Sequence, residues 1–158
     1  MNSVNEEQNF SNVATSKSAS DGVSVSGLSG RELDAAVAER VMGWVWWATT
    51  LRFSAERRRA LFQPELKNPD YQLADGSEEP FTGDNYFISH YSSSIAAAFE
   101  MQSRISDLGL AQEFAVALGQ ILLRGNTQPI TAFDYANATA EQRCRAALQA
   151  VEKDHESS

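Results

Sequence analysis

Apolar residues first recur with a regular period between Leu28 and Trp44. Leu33, Val37 and Val41 stand at i, i+4 and i+8 with Ala36 beside them, so a helix here carries one apolar face. Ser29 sits at the N-cap position and Glu32 three residues on, the spacing of a capping box, while Leu28 and Leu33 are placed for a hydrophobic staple. Gly43 falls where a left-handed residue closes a helix. The pattern predicts one helix over residues 28–44, packed on whatever follows. Residues 1–27 are rich in Ser, Asn and Val and show neither period, so they are expected to be a disordered tail.

Aromatic and β-branched residues then dominate residues 44–53, which predicts a strand. Trp44 and Trp46 would share one face, with Trp47 on the other. Residues 54–62 read equally as a short helix capped by Ser54 or as a strand paired with the tryptophan strand. Residues 63–83 hold three prolines and two glycines, so they are expected to be a long surface loop. Turn signals stand at Asn68-Pro69-Asp70 and Asp75-Gly76.

Residues 86–91 are β-prone and lead into Ser92 or Ser93 as a helix cap. A helix over 94–108 would bury Ile95, Ala98, Phe99 and Ile105 and stop at Gly109. A further helix is expected over 110–124, with the stripe Phe114, Leu118, Ile121 and Leu122. Residues 129–135 read as a strand. Thr139 and Gln142 then form a capping box, and Cys144, Ala147, Leu148 and Val151 follow at i, i+3, i+4 and i+7. Residues 153–158 are expected to be a charged tail.

Three blocks of this reading stand in a fixed order: LSGRELDAAVAERVMGW at 28–44, HYSSSIAAAF at 90–99 and ATAEQRCRAAL at 138–148. In wording and order they resemble the phage ABA sandwich domain family, small proteins of phages and prophages. Its members show blocks of the type GRELDALVAEKVMGW, YSTDIAAAWE and ATPEAICRAALKAL. The resemblance spans roughly residues 28–152. It implies an α+β fold, a small and mainly antiparallel sheet sandwiched between helices. This chain departs from the family wording at Ser94, where aspartate is usual, and at Phe99, where tryptophan is usual. Residues 110–124 occupy a stretch where shorter relatives have strands. The family lends no catalytic role to any position.

At 158 residues with 42% hydrophobic content, the chain is expected to close one modest core. A formal net charge of −8 opposes long-range attraction to DNA, RNA or an anionic membrane. No run approaches the roughly 18 apolar residues that span a bilayer, and no secretory signal opens the chain. A cytoplasmic protein of a bacterial host is therefore expected. Cys144 is the single cysteine, and its apolar helical face makes it a buried hydrophobe before a reactive thiol.

The chemistry points away from catalysis. His90 and His155 are the only histidines, so no zinc spacing exists, and neither a phosphate loop nor a nucleophile elbow is present. Asp34 and Glu39 lie about 500° apart around a helix and do not pair for acid–base work. Ser89, His90 and Ser92 are adjacent in sequence, which is not triad geometry. No catalytic residue, metal or cofactor is expected. The contact candidates are Trp46, Trp47, Arg57, Arg58 and Arg59. As a solvated, packed group they would serve a protein partner; as a stacking platform beside guanidinium forks they would suit an anionic nucleotide. Homo-oligomerisation stays open.

Overall fold

The computed structural model describes residues 25–50, 56–65, 70–80, 88–124 and 126–157. The architecture is α+β, as the periodicities require. Among the described residues five helices, α1 (Gly30–Arg40), α2 (Ile95–Asp107), α3 (Ala111–Leu123), α4 (Ala132–Ala136) and α5 (Ala140–Ser157), accompany four strands. The strands are β1 (Val45–Thr50), β2 (Arg57–Phe62), β3 (Gln72–Leu73) and β4 (Glu79–Pro80).

Helix α5 is the hub. Cys144, Ala146, Ala147, Leu148 and Ala150 are buried on it, and α1, α2 and α3 all pack there. A helix so rich in alanine presents little bulk, so three neighbours can approach its axis closely. The expected stripe of Cys144, Ala147, Leu148 and Val151 is the buried one. The expected capping box forms as well: Thr139 N–H donates to Gln142 Oε1 at 2.8 Å, and Gln142 N–H to Thr139 Oγ1 at 3.2 Å. The helix runs on to Ser157, so most of the stretch expected as a charged tail is helical. Charged side chains on an outward face do not stop a helix that a long buried face already holds.

In α1 the predicted face is correct: Leu33, Val37 and Val41 are buried. It packs chiefly on α5, with a lighter contact to β2. The capping box expected there does not form. Ser29 is the N-cap residue, yet its side chain makes no cap hydrogen bond, and its backbone carbonyl receives Glu32 N–H instead. At the other end Gly43 takes φ +74°, and Trp44 N–H closes the turn onto Ala38 O at 2.9 Å.

The tail boundary also moves. Val25–Gly27 form a 3-10 turn, and Val25 is only 5% exposed. Arg145 on α5 explains this: Nη1 donates to Val25 O at 2.8 Å and Nη2 to Leu28 O at 2.6 Å. A guanidinium contributed 117 residues away is invisible to local composition. Residues 1–24 lie outside the described residues.

The sheet has the order β3-β1-β2-β4. β1 pairs antiparallel with both β2 and β3, and β4 joins β2 in parallel, so the sheet is mainly antiparallel. Residues 57–62 are thus strand rather than helix, in the register Trp46↔Leu61 and Ala48↔Arg59. The predicted loop contributes both edge strands. Pro80 is tolerated because it sits on an edge, where no further ladder partner needs its missing N–H. The turn at Asp75-Gly76 is present, with Gly76 at φ +91°; Asn68 and Pro69 lie outside the described residues.

Further expectations fail around α2 and α4. Residues 88–91 form no strand, and the cap of α2 is Ser94, which accepts from Ala97 N–H at 3.4 Å. The buried face of α2 is Ala97, Ala98, Met101 and Ile105, leaving Ile95 and Phe99 about half exposed. Residues 132–136 are helix, not strand, because Thr131 and Asp134 form a capping box. The Thr131 hydroxyl and backbone N–H both donate to Asp134 Oδ2 at 2.7 Å, and these bonds, the hydroxyl's first, hold the Asp134 carboxyl below its ordinary range.

Candidate functional site

Alternation along β1 and β2 splits the predicted contact residues between the two faces of the sheet. Trp46, Arg57 and Arg59 share one face with Leu61, while Trp47 and Arg58 share the other with Ala60 and Phe62. Arg59 lays its guanidinium over the Trp46 ring, 4.8 Å from the centroid. Arg57 Nη2 lies 3.2 Å from Glu78 Oε1, and Arg58 Nη2 lies 2.9 Å from Glu56 Oε2. Each arginine is engaged with its own neighbour, and the three do not converge on one point.

Glu78 gives this region its order and was not singled out by sequence. Its side chain is 1% exposed, and Oε2 accepts the backbone N–H groups of Asp75 and Gly76 at 3.1 and 3.2 Å. A buried carboxylate needs such partners, and here they fix the turn between β3 and β4. Asp75 is held low in pKa first by the hydroxyl and then by the backbone N–H of Ser77. On the outer face the Trp47 indole N–H is buried without an acceptor among the described residues.

A second knot joins the first two sequence blocks. Asp34 is buried at 1% exposure; Oδ1 accepts Ser92 N–H at 2.7 Å and Oδ2 accepts Arg31 Nη1 at 2.9 Å. Arg31 reaches on to Ile88 O at 3.0 Å, and its Nη1 stands 3.3 Å from His90 Nδ1. Ser92 thus anchors the chain to α1 instead of capping α2. His90 belongs to this clamp, and the Ser92 hydroxyl donates to Gly30 O at 3.3 Å. Burial pushes the nearby Tyr91 hydroxyl upward in pKa.

A concave feature lies elsewhere among the described residues, on the helical side. A groove of about 460 Å³ opens between α2, α3, α4 and α5. Phe99, Ile105, Phe114 and Leu118 give it apolar walls, and Tyr135 and Ala136 of α4 close one side. Tyr135 sits against Gly119: a Cβ there would meet the Tyr135 hydroxyl, so this close approach needs glycine.

Arg143 forms part of the groove wall and is 4% exposed. Its Nε donates to Ala138 O at 3.2 Å, Nη1 to Gln102 Oε1 at 2.8 Å, and Nη2 to Tyr135 O and Ala136 O at 2.9 and 3.3 Å. The guanidinium therefore collects the carbonyls at the end of α4, where a cation suits the helix dipole. Phe99 covers it, with the guanidinium carbon 4.8 Å from the ring centroid. Sequence reading missed this residue. The one available signal was an arginine next to Cys144 whose helical neighbours three and four positions away, Thr139, Ala140, Ala146 and Ala147, are all small.

Among the described residues, no group of three or more His, Cys, Asp and Glu is placed to hold a metal, and no helix is long and apolar enough to cross a membrane. No family model matches the chain, and neither a curated protein nor a solved structure matches it.

Proposed function

We propose that this chain is a small, acidic, non-enzymatic protein of phage or prophage origin, working in the host cytoplasm by holding a protein partner in the α2–α3–α4 groove. The observation that carries the reading is the apolar lining of that groove and the exposure at its edge. Phe99 is 49% exposed at the wall, and Phe133, on the helix that closes one side, is 74% exposed. Large apolar side chains left in water beside a preformed cleft are what a docking surface looks like before its partner arrives. The wording of the three sequence blocks supports the phage origin. The polar clusters around Asp34 and Glu78 are used up in holding backbone, which supports binding over turnover.

Photocrosslinking in bacterial cells tests it. p-Benzoylphenylalanine placed at Phe133 should give a discrete crosslinked species, whereas the same group at Leu73, an equally apolar exposed position on β3, should give none. A species from Leu73 alone would move the binding face to the sheet edge and its tryptophan–arginine neighbours. Reproducible turnover of any substrate, lost on His90→Ala, would overturn the non-enzymatic reading.

A further inference from the structure

The groove is not merely apolar, because Arg143 and Gln102 bring N–H donors to its wall. Arg143 carries five N–H donors, and four of them meet Ala138 O, Gln102 Oε1, Tyr135 O and Ala136 O. The second hydrogen on Nη1 has no acceptor among the described residues. Every acceptor that Arg143 does have is neutral, and no carboxylate pairs with it among the described residues. A cation at 4% exposure without a counter-ion is costly to keep, and it raises the value of any anion brought alongside. Gln102 adds to this: its oxygen is committed to Arg143, so its amide N–H groups are the part left for a ligand. No Asp or Glu lines the groove.

We infer that the segment received by the groove carries a carboxylate next to an apolar side chain. The apolar part lies along Phe99, Phe114 and Leu118, and the carboxylate meets Arg143 and Gln102. This rests on the groove being the docking site and names the chemistry of its occupant: an apolar residue ending a chain, with its terminal carboxylate at Arg143 and Gln102. The charge complements a local positive site within a chain whose net charge is −8, so acidic partners in general would be repelled while a correctly placed single carboxylate is drawn in.

The test uses two probes that differ only in that charge, N-acetyl-Leu-Phe as the free acid and as the amide. Backbone amide resonances of Gln102, Ala111 and Ala115 are followed as each is titrated into the full chain. The acid should shift them with a half-saturation about tenfold below that of the amide, the size expected of one charge-assisted hydrogen-bonded pair. Ala115→Trp, at an exposed helical position lining the groove, should abolish both responses without unfolding the protein. Arg143→Gln should equalise the two probes, but it also removes the α4 carbonyl clamp; the acid–amide comparison in the unaltered chain therefore decides. Equal affinities, or no response to either probe while Phe133 still crosslinks a partner, would overturn the carboxylate inference and leave the docking face standing. No response and no crosslink would remove both.

Discussion

Cys144 shows how one residue's burial becomes a property of the whole protein. Its thiol is 0% exposed, and burial, reinforced by the Asp34 charge, pushes its pKa from 9.0 up to about 12. Above its ordinary pKa the unfolded chain releases this proton while the folded chain keeps it. Stability from this group is complete below about pH 9 and falls as pH rises toward 12. Tyr91, also raised by burial, acts in the same direction at still higher pH. Urea midpoints should therefore decline between about pH 8 and about pH 10.5, and Cys144→Ala should flatten the decline without removing it. A thiol reagent at neutral pH should react with native Cys144 only as fast as the protein opens. Immediate stoichiometric labelling would mean that Cys144 reaches solvent and is not the closed core position described here.

At the scale of elements, α1 separates a buried face from caps and ion pairs. Val37→Asp would place an unpaired carboxylate at a site of 0% exposure, and should cost at least ~3 kcal/mol. Arg40→Ala removes a 2.7 Å pair with Glu152, whose side chain is 44% exposed, and should cost about 0.5–1 kcal/mol. Ser29→Ala should cost least, within about 0.5 kcal/mol, because its hydroxyl caps nothing. The order of three urea midpoints checks this, and Ser29→Ala falling below Arg40→Ala would show that the cap forms in solution. The apolar period located α1, α3 and α5 because each buries a stripe of its own sequence. It failed at α4, where Ile130, Phe133 and Tyr135 suggest a strand while Thr131 with Asp134 caps a helix. The same capping logic was legible at Thr139 and Gln142, so the signal existed and β propensity masked it. At α2 the error was rotational: Phe99 is turned outward onto Arg143, and nothing near Phe99 in sequence announces a guanidinium 44 residues on.

Across the whole molecule, the pieces that sequence did not reveal are long-range polar ties. Asp34 to Ser92, Arg143 to Gln102 and Arg145 to Val25 join positions 58, 41 and 120 residues apart. Local pattern predicts elements, and ties of this length decide how those elements meet; the groove exists only because α2, α3, α4 and α5 meet as they do. The candidate contact set at Trp46, Trp47 and Arg57–Arg59 was legible as residues, but the strand register that divides it between faces was not. One tie is open to direct measurement. Two truncations, one beginning at Val25 and one at Leu28, differ only in the turn that Arg145 holds. The shorter chain loses a buried valine and two carbonyl acceptors, and should be less stable by about 2 kcal/mol. Equal midpoints would place the ordered boundary after that turn.

The binding face itself is tested most directly by hydrogen exchange on the chain alone and in complex with the partner that Phe133 captures. Slower exchange should be confined to Ile95–Asp107, Ala111–Leu123 and Ala132–Ala136, with Val45–Thr50 and Arg57–Phe62 unchanged. Protection concentrated in those two strands, with the three helices unaffected, would contradict the groove as the docking site and return the function to the tryptophan–arginine sheet.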